Sequence, residues 1–156
     1  MSQQLWFLRH GEAEPHGSAP DEERALTERG RGQSVAAGRA LASLGITFQA
    51  AFTSPKLRAL ETARLACEHL EVEPLAHGPL REGFDRAEAM ALLHAAGDDR
   101  RVLLVGHEPD LSQTVHDLTG ARIDLKKGGV AGVRIEGGSA ELVALLRPRE
   151  LDRIAG

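Results

Sequence analysis

Near its start the chain runs Leu5-Trp6-Phe7-Leu8 and continues without a break into Arg9-His10-Gly11-Glu12. Four consecutive apolar residues bounded by charge predict a short strand buried on both faces. Such a strand has to lie inside a sheet covered by helices. In open α/β sheets ligands bind just beyond the carboxyl ends of the strands. The strand therefore delivers a guanidinium, an imidazole and a glycine to the place where chemistry is expected. Gly11 allows a sharp turn or a close backbone approach. Taken alone, His10 could equally be a histidine that caps a strand, and the rest of the chain has to decide.

The 156 residues fit one domain, 1–156, large enough to bury a core without staples. A formal charge of −4 provides no basic footprint for nucleic acid or an anionic membrane, and the absence of tyrosine weakens any base-stacking role. The one cysteine, Cys67, lies at helical spacing from Leu60, Ala63 and Leu70 and reads as a buried structural thiol. No window reaches the apolar length of a membrane-spanning helix, and no basic segment leads into an apolar run at the N-terminus. A cytoplasmic monomer is the expectation.

Along the chain, Ala13 to Glu23 is polar, interrupted by Pro and Gly, and long for a connection, which favours a functional loop. Within it His16 reads as solvated. Thr27 is the expected N-cap of a helix reaching about Leu44 and stopped by Gly45. Gly30, Gly32 and Gly38 weaken that helix but permit close packing on the sheet. Ala50 to Thr53 is a short second strand, and Ser54-Pro55 reads as an N-cap followed by proline at the first helical position. The helix expected from Pro55 to about His69 carries Arg58 in its first turn. Val72 to Ala76 is a weak third strand, and Gly78 to Gly83 a loop. Arg86 to Ala96 forms a helix closed by Gly97. Arg101 to Val105 is the second clear buried strand and ends in Gly106-His107-Glu108-Pro109, with a helix from Pro109 to about Leu118. Val130 to Ile135 and Ala140 to Leu146 form a hairpin across Gly137-Gly138. Strands alternating with helices predict an α/β fold: a three-layer α/β/α sandwich with a mainly parallel central sheet.

If those strands are parallel, three of their ends share one rim and bring Arg9, His10, Arg58 and His107 together. Two guanidiniums there suit a tetrahedral anion, because each fork matches phosphoryl oxygens in pairs. The N-termini of the helices that begin near Pro55 and Pro109 could add backbone N–H donors. Neighbouring positive charge lowers the pKa of His10 and keeps its imidazole neutral, hence nucleophilic. That combination points to phosphoryl transfer with histidine as the acceptor. A metal site made from His10, Glu12, His107 and Asp110 has to be weighed, since His10-Gly11-Glu12 matches the H-x-E opening of zinc deaminases. It fails because the cysteine pair of that chemistry cannot come from one cysteine, and because a cation gains nothing from two adjacent arginines. No metal and no cofactor are expected.

The stretches Leu8 to Glu12, Ser54 to Ala63 and Val105 to Pro109 resemble, in order and spacing, the three motifs of the histidine phosphatase superfamily, whose fold is called phosphoglycerate mutase-like. Leu26-Thr27-Glu28-Arg29-Gly30 resembles the opening of the family's first helix. The resemblance implies that His10 is phosphorylated transiently, while Arg9, Arg58 and His107, with Gly11 beside them, hold the phosphoryl group. It also implies a carboxylate proton donor on the loop after the third strand. Glu82 sits about there and Asp85 is its neighbour, although a solvated loop acid is an equal reading of either. Glu12 could instead orient a neighbouring group.

The chain is short for this superfamily, and the tight connections after Thr53 and Val105 leave little material for a lid. An open site admits a phosphorylated side chain displayed on another protein. Imidazole is also a better leaving group than an alkoxide and needs less help from an acid. Both points resemble the small SixA-type phosphohistidine phosphatases, as does Lys126 to Ala131. Lys126 or Lys127 would reach a substrate phosphate or an acidic partner, or else lie in a solvated turn. The leading expectation is a phosphohistidine phosphatase acting on a signalling or phosphotransfer protein. A small-molecule phosphomonoesterase is the alternative, and a non-catalytic module that binds phosphorylated ligands is the third.

Overall fold

The computed structural model describes residues 2–156. Its elements are β1 (Ser2–Arg9), α1 (Glu28–Ser43), β2 (Ala50–Thr53), α2 (Leu57–Glu68), β3 (Pro74–Ala76), α3 (Arg86–Ala96), β4 (Arg101–Gly106), α4 (Asp110–Thr119), β5 (Val130–Glu136), β6 (Ser139–Leu146) and α5 (Pro148–Ala155). The six strands form one sheet in the order β3-β2-β4-β1-β5-β6. The β3-β2-β4-β1 half is parallel, and β5 and β6 extend it antiparallel. The strands that carry the two apolar runs, β1 with Leu5 to Leu8 and β4 with Val102 to Val105, lie side by side in the interior of the sheet, as strands buried on both faces must.

Alternation along these strands divides the core into two layers. Trp6, Leu8, Leu103 and Val105 pack with α1, α2 and α5. Leu5, Phe7, Val102 and Leu104 pack with α3 and α4 on the other face. All but Trp6 are fully buried, and truncating one such leucine to alanine costs about 2–5 kcal/mol. The mainly parallel α/β/α sandwich expected from the sequence is the fold observed.

Several boundaries differ from expectation for identifiable reasons. Thr27 does cap α1, its hydroxyl accepting from the Gly30 N–H. The second helix, however, begins at Leu57 rather than Pro55. Ser54 accepts from the Lys56 N–H in a turn before the helix, and Lys56 is the N-cap residue. The third strand is reduced to Pro74–Ala76. Gly38 lets α1 approach α2 rather than the sheet, since a Cβ there would lie 2.3 Å from the Ala66 carbonyl oxygen. Helix α5 was not expected from the sequence. It buries Leu151 in the first core layer. Cys67 is buried as expected, and burial pushes its thiol pKa up to about 12. Among the described residues no helix is long and apolar enough to cross a membrane.

Candidate active site

Parallel register builds the site. Leu8 of β1 lies opposite Val105 of β4 and Arg9 opposite Gly106, so His10 and His107 are the next residues on adjacent strands. Thr53 of β2 also faces Val105, which brings Ser54 to the same rim. The imidazole rings of His10 and His107 stand 5.1 Å apart, tilted by 56°. Both residues are buried, as is Arg58.

Beyond β1 the chain is fastened from two helices. The Gly11 N–H donates to Thr62 Oγ1 at 3.1 Å, and the Thr62 hydroxyl donates to the Arg58 carbonyl at 2.7 Å. This loop is therefore tied to the helix that carries Arg58. The Glu12 N–H donates to Gln33 Oε1 of α1 at 2.9 Å. Gly11 and Gly30 make the approach to α1 possible: a Cβ on Gly11 would lie 2.6 Å from the Gly30 carbonyl oxygen. This close contact is the reason for a glycine after His10.

The same turn sets the chemistry of His10. Its Nδ1 lies 2.7 Å from the Gly11 carbonyl oxygen. A carbonyl only accepts, so Nδ1 carries the proton and the lone pair of the neutral ring belongs to Nε2. Burial is the main reason the His10 pKa falls to about 4; Arg58, Arg9 and Lys127 push it further in the same direction, while the bond to Gly11 opposes them. The direction matches the expectation from the sequence, but desolvation comes before neighbouring charge. His107 is lowered to about 3, again first by burial, then by His10, Arg58 and Lys56. Both imidazoles are neutral at pH 7.

His107 Nε2 lies 2.8 Å from Ser54 Oγ, so the serine expected to cap a helix instead orients the second histidine. Arg9 Nη1 donates to the Leu125 carbonyl at 3.0 Å. Arg58 Nη1 donates to the Asp21 carbonyl at 2.8 Å, and its Nη2 lies 3.4 Å from the Asp21 carboxylate. That leaves Arg9 Nε, Arg58 Nε and His107 Nδ1 buried without a partner in the protein. Unpaired buried donors are costly. The guanidiniums of Arg9 and Arg58 share one cavity with His10 and His107, an arrangement suited to an oxyanion.

A cavity of about 270 Å³ opens over these groups and is lined by Arg9, His10, Arg24, Arg58, His107 and Lys127. His16 and Glu108 also reach its wall. Arg24 has no motif to announce it, because an arginine in a polar loop reads as solvated. In the fold it is buried, donating from Nε and Nη2 to Asp21 Oδ1 and from Nη1 to the Glu14 carbonyl. Asp21 stands at the centre of this cationic group. Hydrogen bonds from Lys56 and Arg24, with the charge of Arg58 added, hold its carboxyl well below the usual carboxylate range. The loop from Ala13 to Leu26 is pinned at its base by a bridge between those two residues. It covers the site that the short connections after β2 and β4 leave bare.

Other expected groups lie elsewhere. Glu82 is exposed and does not line the cavity. Asp85 is committed to α3, where its carboxylate accepts from the Glu88 N–H. Glu108 is held by the Ser112 N–H and hydroxyl. Two N–H groups in the first turn of α4 are occupied rather than offered to a ligand: Leu111 N–H bonds the His107 carbonyl and Ser112 N–H bonds Glu108. Glu12 Oε2 lies 3.3 Å from the Thr27 hydroxyl and 3.9 Å from Arg29 Nε, which places it at the start of α1. Asp110 accepts from the Gly83 N–H. Among the described residues, no three His, Cys, Asp or Glu side chains are grouped to hold a metal ion. Lys127 lines the cavity, whereas Lys126 pairs with Asp124 at 2.6 Å.

Residues 5–92 match the sequence profile of the histidine phosphatase superfamily (branch 1). The chain belongs to that superfamily. An uncharacterized protein of Picosynechococcus is 34% identical over 139 residues, covering 84% of each chain. The 2,3-bisphosphoglycerate-dependent phosphoglycerate mutase of Bartonella henselae is 35% identical over 78 residues, which are 48% of this chain and 38% of the mutase. Among solved structures, the protein histidine phosphatase SixA complexed with tungstate superposes with a TM-score of 0.84 at 23% identity, covering 95% of this chain and 99% of SixA. That likeness establishes a shared fold. As a histidine phosphatase superfamily member, the protein carries phosphatase machinery whose substrate the fold alone does not choose.

Proposed function

We propose that this protein is a metal-independent phosphohistidine phosphatase that acts on a signalling or phosphotransfer protein in the cytoplasm, with His10 as nucleophile. The observation that carries the reading is the His10–Gly11 hydrogen bond. It assigns the lone pair to Nε2 in a ring kept neutral by burial and neighbouring cations. In the first step Nε2 attacks phosphorus in line. The bond from phosphorus to His10 forms as the bond to the substrate imidazole breaks, and that imidazole takes a proton from solvent. His10 retains its Nδ1 proton, so positive charge develops on the ring beside the Gly11 carbonyl, which is already placed to receive it. Arg9, Arg58 and His107 would hold the equatorial oxygens. In the second step water attacks the phosphoryl group on His10, loses a proton to solvent, and inorganic phosphate departs. His10 returns to its neutral form. Positioning and charge stabilisation provide the acceleration.

Two observations support imidazole over an alkoxide as the leaving group. The single carboxylate residue lining the cavity, Glu108, is engaged by Ser112, so a free carboxylic acid is not at hand to protonate a poor leaving group. The fold likeness to SixA, solved with the tetrahedral oxyanion tungstate, is in keeping with the same reading. Transfer between two imidazoles is also close to thermoneutral. His16 on the cavity wall favours the second reading, a small-molecule phosphomonoesterase, because it offers an imidazole as proton donor. Turnover of a phosphohistidine peptide, p-nitrophenyl phosphate and phosphoglycerates, each with and without chelator, separates the readings. We expect the peptide to be preferred by kcat/KM and chelator to have no effect. Preference for a small ester replaces the first reading with the second. No turnover of any substrate, with no acid-labile phosphate on His10, reduces the protein to a phospho-ligand binding module.

A further inference from the structure

A second cavity, about 590 Å³, opens beside the first and shares Arg9 and Lys127 with it. Its walls come from the start of α1, the segment before β5 and the entry to α5. They add the cations Arg29, Lys126, Arg147 and Arg149 to the shared pair. Glu12 is the one carboxylate residue in the lining. In a chain with a formal charge of −4, this groove concentrates the opposite sign next to the phosphate-binding groups. Part of the charge is offset nearby, Lys126 by Asp124 and Arg147 by Glu150, each at 2.6 Å. With those two acids counted, cations still outnumber carboxylates six to three.

These cations differ in kind from those around His10. The side chains of Arg29, Lys126 and Arg149 are 75%, 54% and 77% exposed. Exposed, flexible charges attract weakly in pairs and are screened by salt. They make a poor rigid subsite for a second phosphate on a small molecule. Distributed along a groove, they raise encounter rates and fix the orientation of an extended anionic chain. We propose that the groove docks an acidic segment of the substrate protein beside its phosphorylated side chain. This inference rests on the reading above that the substrate is a phosphoprotein.

The test uses two phosphohistidine peptides that are identical except for Asp/Glu or Asn/Gln flanks, with p-nitrophenyl phosphate as the small substrate. Wild type is compared with Arg29→Gln/Lys126→Gln/Arg149→Gln, whose three positions are exposed and do not line the His10 cavity. At low ionic strength the acidic peptide is expected to have a kcat/KM about 10-fold higher, expressed in KM. The advantage disappears in about 0.5 M NaCl and in the triple variant, while p-nitrophenyl phosphate turnover is unchanged. Fluorescence anisotropy of the unphosphorylated acidic peptide reads the groove without turnover, and its Kd is expected to rise about 5-fold or more in the variant. Equal kcat/KM for the two peptides overturns the docking groove even if phosphohistidine is hydrolysed, and so does an acidic preference that survives in the variant. If neither peptide is turned over but p-nitrophenyl phosphate is, the phosphohistidine reading falls. The anisotropy result then decides the groove by itself: charge-dependent binding upholds an acidic-segment site, and its absence removes it.

Discussion

The two adjoining cavities share Arg9 and Lys127, yet they use positive charge in opposite ways. Around His10 the cations and imidazoles are largely buried, and three of their N–H or ring nitrogen positions have no partner in the protein. In the neighbouring groove arginines and lysines lie in water, several already paired with carboxylates. Burial converts a modest surface attraction into a directional site and shifts the pKa of whatever shares it. Exposure leaves charge that is long-ranged, adaptable and sensitive to salt. A reaction centre requires the first, and recognition of a variable partner is served by the second.

The sharpest way to break this contrast is to remove the proposed nucleophile. His10→Ala is expected to lower turnover by about 10⁴-fold or more without changing the circular dichroism spectrum, and to abolish acid-labile phosphate in rapid-quench labelling. Persisting turnover would show that the buried cavity is not the reaction centre. Next in size, Arg58→Ala is expected to cost about 10²–10³-fold in kcat/KM. Arg58→Lys would recover little of it, because an ammonium cannot reproduce the fork. Full rescue by lysine would mean that charge alone matters there, as in the groove.

A smaller effect is expected from Ser54→Ala, which leaves His107 buried but without its 2.8 Å partner. A loss of about 10-fold in kcat, with KM little changed, is expected of a positioning residue. A displaced His107 ring resonance in NMR would accompany it, and an unmoved resonance would place the loss elsewhere.

Acid provides another test. The folded pKa values of His10 and His107 lie near 4 and 3, below their ordinary value of 6.5. The stability associated with keeping both rings neutral is fully present above pH 6.5 and is lost as pH falls toward those folded values. At pH 5 the loss is on the order of 2 kcal/mol for each imidazole. The urea midpoint should therefore fall between pH 7 and pH 5 in wild type and fall less in His107→Asn. A midpoint independent of pH over that interval would contradict burial as the cause. The smallest effect belongs to Glu82→Gln, expected to change kcat/KM by less than about 2-fold on either substrate class, as for a surface change outside the site. A large loss on esters alone would bring Glu82 into the reaction as the proton donor.

Much of this was legible along the chain. The apolar runs of β1 and β4 announced an interior sheet, Arg86 to Ala96 carried its own stop in Gly97, and the residues at three strand ends pointed to an anion site. Arg24, Asp21 and Lys127 were not legible in that way. A charged residue in a polar loop is ordinarily solvated, and only the folding of Ala13 to Leu26 across the rim buries one of them and opposes it to another. Ser54 misled for a related reason. Its position before a proline is a helix-start pattern, but its hydroxyl partners are Lys56 N–H in a turn and a histidine just past the end of β4.

What local sequence determined, then, was which segments are strands and helices and which residue types stand where the strands end. Both follow from periodicity and from burial of short apolar runs. Tertiary structure decided which of those side chains lose water, which tautomer His10 adopts and which cations remain exposed in the groove. Desolvation and hydrogen-bond pairing depend on neighbours that are distant in the chain, and only the folded register brings them within reach.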